Sequence, residues 1–122
     1  MIQVYKEFGF EAAHRLPSAR PDDPNARVHG HSFRVRVVIE GEPDPATGLT
    51  FHFGDFEAAL ASVKDKLDHR YLNDIQGLEM PTVERLAIWI WERLDGVVPG
   101  LLEVQVDRPT CGEGALYRPS PL

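Results

Sequence analysis

Two hydrophobic spacings run along this chain, and the switch from one to the other marks out its elements. From Ser32 to Gly41, Phe33, Val35, Val37 and Ile39 alternate with Arg34, Arg36 and Glu40. Period two of this kind predicts a half-buried antiparallel strand with one face toward a core. Residues 2–13 predict an earlier strand, whose apolar stretch Phe8-Gly-Phe10-Glu-Ala-Ala13 runs up to His14. Between the two, Leu16 to Val28 carries Pro17, Pro21 and Pro24 with Asp22, Asp23 and Asn25, a composition that breaks both helix and ladder and predicts a long loop. Turn chemistry from Glu42 to Gly48 predicts a hairpin that returns through Leu49–Phe53.

The spacing then becomes helical. Phe56, Ala59, Leu60, Val63 and Leu67 follow Asp55, a good N-cap residue, and predict an amphipathic helix. After the polar break Asp68–Asn73, Val83, Leu86, Ala87, Ile90, Trp91 and Leu94 predict a second helix, capped by Thr82 and carrying Glu84 in its first turn. Met80 and Trp89 widen its apolar side as core residues. Residues 102–107 and 115–118 predict two short final strands around the turn Thr110–Gly114. The order strand, strand, helix, helix, strand, strand predicts an α+β fold: a four-stranded antiparallel sheet with both helices on one face. At 122 residues this is expected to be a single domain, 1–122. The sheet's other face is left to a second copy of the chain.

Composition narrows the functional classes. Apolar residues make up 43% and charged residues 26%, as in ordinary globular proteins. No run approaches the about eighteen apolar residues of a membrane span, and the N-terminus lacks the layout of a signal peptide. A net charge of −6 without a basic cluster argues against nucleic acid as a partner. The lone Cys111 excludes an internal disulfide and fits a reducing compartment. The expectation is a cytoplasmic protein with no membrane or nucleic-acid partner.

The chemistry concentrates in Val28-His29-Gly30-His31 and His14. In an extended segment His29 and His31 point to the same face, and pairing with the first strand would bring His14 to them. Three imidazoles without a fourth protein ligand form the pattern of a catalytic zinc, because structural zinc is usually closed by four side chains, often cysteines. A second constellation is Asp68-His69, a carboxylate beside an imidazole, which is a recurring acid/base device.

Phe10-Glu-Ala-Ala-His14-Arg-Leu-Pro17, Val28-His-Gly-His-Ser-Phe33, Leu67-Asp-His-Arg-Tyr-Leu-Asn73 and Pro81-Thr-Val-Glu-Arg-Leu-Ala-Ile-Trp-Ile-Trp91 together resemble the 6-pyruvoyltetrahydropterin synthase family, in particular its bacterial 6-carboxytetrahydropterin synthase branch of queuosine biosynthesis. The resemblance covers nearly the whole chain in order. It implies the T-fold, a homohexamer of two trimers whose sheets close into barrels, and active sites at subunit interfaces. It also implies that His14, His29 and His31 hold Zn2+, that the substrate is dihydroneopterin triphosphate or a related reduced pterin, and that Asp68 and His69 belong to a catalytic triad.

Two family positions differ. Where relatives carry a cysteine base four residues before the His-Gly-His segment, this chain has Asn25, which cannot ionise. Asp22 and Asp23 are the nearby carboxylates. Where relatives carry a glutamate that anchors the pterin ring, the segment reads Arg108-Pro109-Thr110-Cys111, and Pro109 offers no acceptor side chain. Glu113, or else Asp107, is the candidate for that contact. His52 stands where relatives often have Asp, and Cys111 is either a small buried residue or a reactive one. These features leave two readings: a zinc-dependent pterin lyase, or a zinc- and pterin-binding paralogue without the family reaction.

Overall fold

A computed structural model describes residues 1–17 and 19–119. Its elements are β1 (Ile2–His14), β2 (His29–Gly41), α1 (Phe53–Leu67), β3 (Arg70–Tyr71), α2 (Val83–Leu94), β4 (Leu101–Arg108) and β5 (Glu113–Tyr117). The sheet order is β3-β1-β2-β4-β5, antiparallel except for the short β1–β3 pairing. This is the expected α+β layout with a fifth strand added. Two residues leave no period to read, so β3 was invisible in the pattern and lay inside what looked like a polar break.

The alternation places the core. Phe10 and Ala12 on β1, Phe33, Val35, Val37 and Ile39 on β2, and Val104 and Val106 on β4 are all buried. They pack with Phe56, Leu60, Val63 and Leu67 of α1 and Leu86, Ala87, Ile90 and Leu94 of α2 in one cluster. Burying each of the phenylalanine, valine, isoleucine and leucine side chains contributes about 1.5–3 kcal/mol. The opposite face carries Tyr5, with the Arg36 guanidinium 4.2 Å above its ring, and Leu116, 66% exposed.

The expected return strand Leu49–Phe53 does not form. Both edges of β2 are already occupied, by β1 and β4, so no ladder is open to it. Instead the Asp44 carboxylate accepts from Ala46 N–H at 2.7 Å and the Asp44 N–H donates to Leu49 O at 2.9 Å, folding the segment into a turn. Helix α1 also begins earlier than the pattern suggests. His52, not Asp55, is its N-cap, its Nδ1 accepting from Asp55 N–H at 3.4 Å, while Asp55 sits in the first turn, where an anion complements the helix dipole. The ring lies over Gly54, where an added Cβ would come within 2.8 Å of it. Thr82 caps α2 as the sequence indicates.

Candidate active site

Register builds the histidine cluster. His14 pairs directly with His29 across the β1–β2 ladder, and His31 stands two residues further along β2, opposite Ala12. Directly opposed residues and i, i+2 residues share a sheet face, so all three rings project from the core-facing side. The strand begins at His29, three residues before the hydrophobic alternation makes it visible. Ring centroids lie 4.6, 5.1 and 4.8 Å apart for the pairs His14–His29, His14–His31 and His29–His31. One ligand atom from each of the three lies within 4.8 Å of the others.

The outer nitrogens fix the tautomers. His14 Nδ1 donates to Pro81 O at 2.9 Å and His29 Nδ1 donates to Arg27 O at 2.7 Å, since a carbonyl oxygen can only accept. Both Nε2 atoms are then lone pairs in the neutral rings, yet they face each other at 3.0 Å. Two acceptors at that distance repel unless a cation or a shared proton lies between them. The arrangement therefore fits a divalent ion held by three neutral imidazoles, with Nδ1–H bonds to backbone carbonyls as the orienting outer contacts. His14 is fully buried, and burial, reinforced by His29, His31 and Arg108, lowers its pKa from 6.5 to about 4 despite the Pro81 bond. Burial and the Arg108 guanidinium lower that of His31 as well. Both rings are thereby kept in the ligating, unprotonated form.

Beyond His14 the chain is clamped by Asn73, whose side chain accepts from Arg15 N–H at 2.9 Å and donates to Arg15 O at 2.8 Å. The parallel pairing of β3 with Ala12 and Ala13 brings Asp68 and His69 to the same strand end. Asp68 Oδ1 accepts from Glu11 N–H at 2.9 Å and lies 3.1 Å from His69 Nδ1. The Glu11 bond first, then His69, holds the Asp68 carboxyl below its usual range. His69 has φ of 60°, the one positive value outside glycine among the described residues, and its N–H donates to Glu11 O at 2.6 Å. Backbone in this sparsely populated region persists where its surroundings over-determine it, commonly at functional sites. His69 is 79% exposed. It shares with His31, Glu11, Ser32, Tyr71 and Thr110 an open cleft of about 720 Å³.

Residues 3–120 match the family model described as 6-pyruvoyl tetrahydropterin synthase. The chain belongs to this family. It is 45% identical to a Synechocystis protein named 6-carboxy-5,6,7,8-tetrahydropterin synthase, over 98% of this chain and 97% of that one. It is 35% identical to a Pyrococcus furiosus dihydroneopterin monophosphate aldolase, over 86% and 83% of the two chains. The solved Caenorhabditis elegans 6-pyruvoyl tetrahydropterin synthase superposes with a TM-score of 0.85 at 27% identity, covering 98% of this chain and 96% of that one.

The positions at which this member of the synthase family departs from the pattern have specific local roles. Asn25 lies in a 3-10 turn, Pro24–Ala26, its N–H bonded to the Asp23 carboxylate at 2.9 Å and its carbonyl accepting from Leu16 N–H at 2.8 Å. Asp23 is thus occupied as the cap of that turn. Pro109 opens a second 3-10 turn, Pro109–Cys111, closed by Gly112 in the left-handed conformation at φ 67°. Asp107 accepts from Gln105 Nε2 at 3.1 and 3.0 Å. Cys111 is exposed, which removes the option of a buried apolar role, and its Sγ lies 3.9 Å from His31 Nδ1. Glu113 pairs with Arg108.

Arg108 is the site residue that sequence reasoning missed. Its signal was present: Val104 and Val106 are buried on the core face, and period two puts an arginine at the next inward position of β4. Its NH1 reaches to 3.5 Å from His31 Nε2.

Proposed function

We propose that this protein is a zinc-dependent lyase of reduced pterins, acting on dihydroneopterin triphosphate or a close relative in the manner of the carboxy- and pyruvoyl-tetrahydropterin synthases. The observation that carries this reading is the pair of opposed Nε2 atoms of His14 and His29 at 3.0 Å with His31 beside them, next to a cleft that also holds His69. His14, His29 and His31 would hold the metal. When bound, the ion supplies Lewis-acid polarisation of a ligand oxygen.

The chain's own groups supply the proton chemistry. Asp68, tied to Glu11 N–H, orients His69 through Nδ1 and leaves Nε2 to exchange a proton with a carbon of the ligand's side chain. Glu113 is the proposed acceptor for the ring's N–H edge. Assembly into a homohexamer of two trimers would cover the face that carries Tyr5 and Leu116, and the cytoplasm is the compartment this reading assigns.

Incubating zinc-loaded protein with dihydroneopterin triphosphate tests the activity: release of triphosphate and a new pterin are expected, and neither appearing would rule out the family reaction. A second reading, a pterin-binding paralogue that does not turn its ligand over, is favoured by Asn25, an amide where the family base stands. If the native protein is inert and Asn25→Cys is active, that second reading is correct. An active native protein eliminates it.

A further inference from the structure

Arg108 is held in an unusual state. It follows Val106 on the inward face of β4, and its side chain is only 11% exposed. A guanidinium is always charged, carries five donors and is costly to bury unless paired and hydrogen-bonded. Here its NH2 meets the Glu113 carboxylate, its NH1 makes only the long 3.5 Å approach to His31, and its Nε is buried with no partner. Arg108 and Glu113 face each other across the end of the β4–β5 ladder. The arginine therefore runs from the histidine cluster out to a carboxylate that is itself 52% exposed.

The charge balance shows what is missing. With three neutral imidazoles, a bound divalent ion and Arg108 would place three positive charges together, and Glu113 returns one. A half-exposed carboxylate is a weakly held counter-ion, because solvent and salt screen it. An incoming oxyanion can take the planar guanidinium fork with two parallel hydrogen bonds, and it would meet a centre already short of negative charge.

We propose that Arg108 is a specificity-determining residue that selects ligands bearing an oxyanion, a carboxylate or phosphate, on the pterin side chain, with Glu113 holding its place in the free protein. This rests on the pterin reading above. Displacement of Glu113 also frees its carboxylate to accept from the ring.

Matched ligands test the idea: pterin-6-carboxylate and 6-hydroxymethylpterin share the ring and differ in the group on C6, an anionic carboxylate in one and an uncharged alcohol in the other. Equilibrium fluorescence titration of metal-loaded protein, with metal content measured afterwards, should give at least about tenfold tighter binding of the carboxylate, a charge-assisted bond being worth more than the 1.4 kcal/mol of a tenfold change. In Arg108→Met the preference should fall to about twofold or less with metal content unchanged. Arg108→Lys should retain part of it, as a point charge without the fork. Glu113→Gln should raise the carboxylate-to-alcohol ratio, an increase that a purely structural role for the pair would not produce and that does not depend on Arg108→Met folding.

Equal affinity for the two pterins in the native protein, or a preference that survives Arg108→Met, overturns the proposal. Should neither pterin bind, the pterin reading fails instead, and phenylphosphate titrated by NMR decides for Arg108. Binding that is lost in Arg108→Met upholds the oxyanion site, and no binding to the native protein refutes it.

Discussion

The two halves of the site are built by different means. The histidine triad is set by a long ladder: thirteen register pairs join β1 to β2, and two backbone carbonyls fix the Nδ1 atoms of His14 and His29. The other half is mixed: Asp68-His69 leads into a two-residue strand, while Arg108 and Glu113 face each other where β4 and β5 meet a 3-10 turn. His69 and Glu113 are exposed, 79% and 52%, while Asp68 and Arg108 are largely covered. The histidine half, the metal half of the proposed function, is preorganised by the fold, whereas the other half is more adjustable and includes Pro109, one of the departures from the family pattern.

The largest effect should come from breaking the ladder half. His14→Ala, His29→Ala or His31→Ala is expected to remove nearly all bound zinc, read by elemental analysis, while far-UV circular dichroism stays close to native because α1 and α2 pack on their own apolar faces. Zinc retained in His29→Ala and His31→Ala would show that the cluster is not the metal site.

At Asp68, on the adjustable half, the effect should be on rate and not on metal content. Asp68→Asn keeps an acceptor for Glu11 N–H but removes the carboxylate charge that orients His69 through Nδ1, so turnover is expected to fall by about a hundredfold or more with zinc content unchanged. An equal fall in metal content would move Asp68 into the metal half and erase the contrast.

Acid should separate the halves in the metal-free protein. The His14 pKa is lowered from 6.5 to about 4 in the folded state, so between those values the unfolded chain binds the extra proton. Stability is then full above pH 6.5 and is lost as pH falls toward 4, by roughly 3 kcal/mol from this group. Urea titrations of chelator-treated protein at pH 7 and pH 4.5 should show the loss, and the same titrations of His14→Gln should show a shallower pH dependence. A slope unchanged in that variant would assign the effect to other groups.

The smallest effect tests a histidine outside both halves. His52→Ala removes the α1 cap and should cost about 0.5–2 kcal/mol in thermal unfolding, with zinc content and turnover untouched. Any loss of zinc would enlarge the site beyond the triad.

Much of this was legible in the residues themselves. Period-two and period-3.6 spacing located both long strands and both helices, because burial on one face imposes those periods on any sequence that folds this way. His29-Gly30-His31 declared a shared face by spacing alone. Thr82 announced its helix through the chemistry of a side-chain oxygen that caps free N–H groups.

Other features depended on partners distant in sequence. Whether Leu49–Phe53 becomes a strand turned on whether β2 had a free edge, which no local pattern records. His52, not Asp55, caps α1 because the helix starts at Phe53, a boundary that the apolar spacing from Phe56 onward does not record. His14 meets His29 because the register is 2↔41 through 14↔29 and not one residue off, and a shift of one would turn every side chain to the other face. Period two puts Arg108 at an inward position of β4, but it does not say which group it meets there. Its place beside His31, residues 77 apart in sequence, exists only in the assembled sheet, since sequence fixes which groups are present while tertiary packing fixes which of them share a small volume stripped of water.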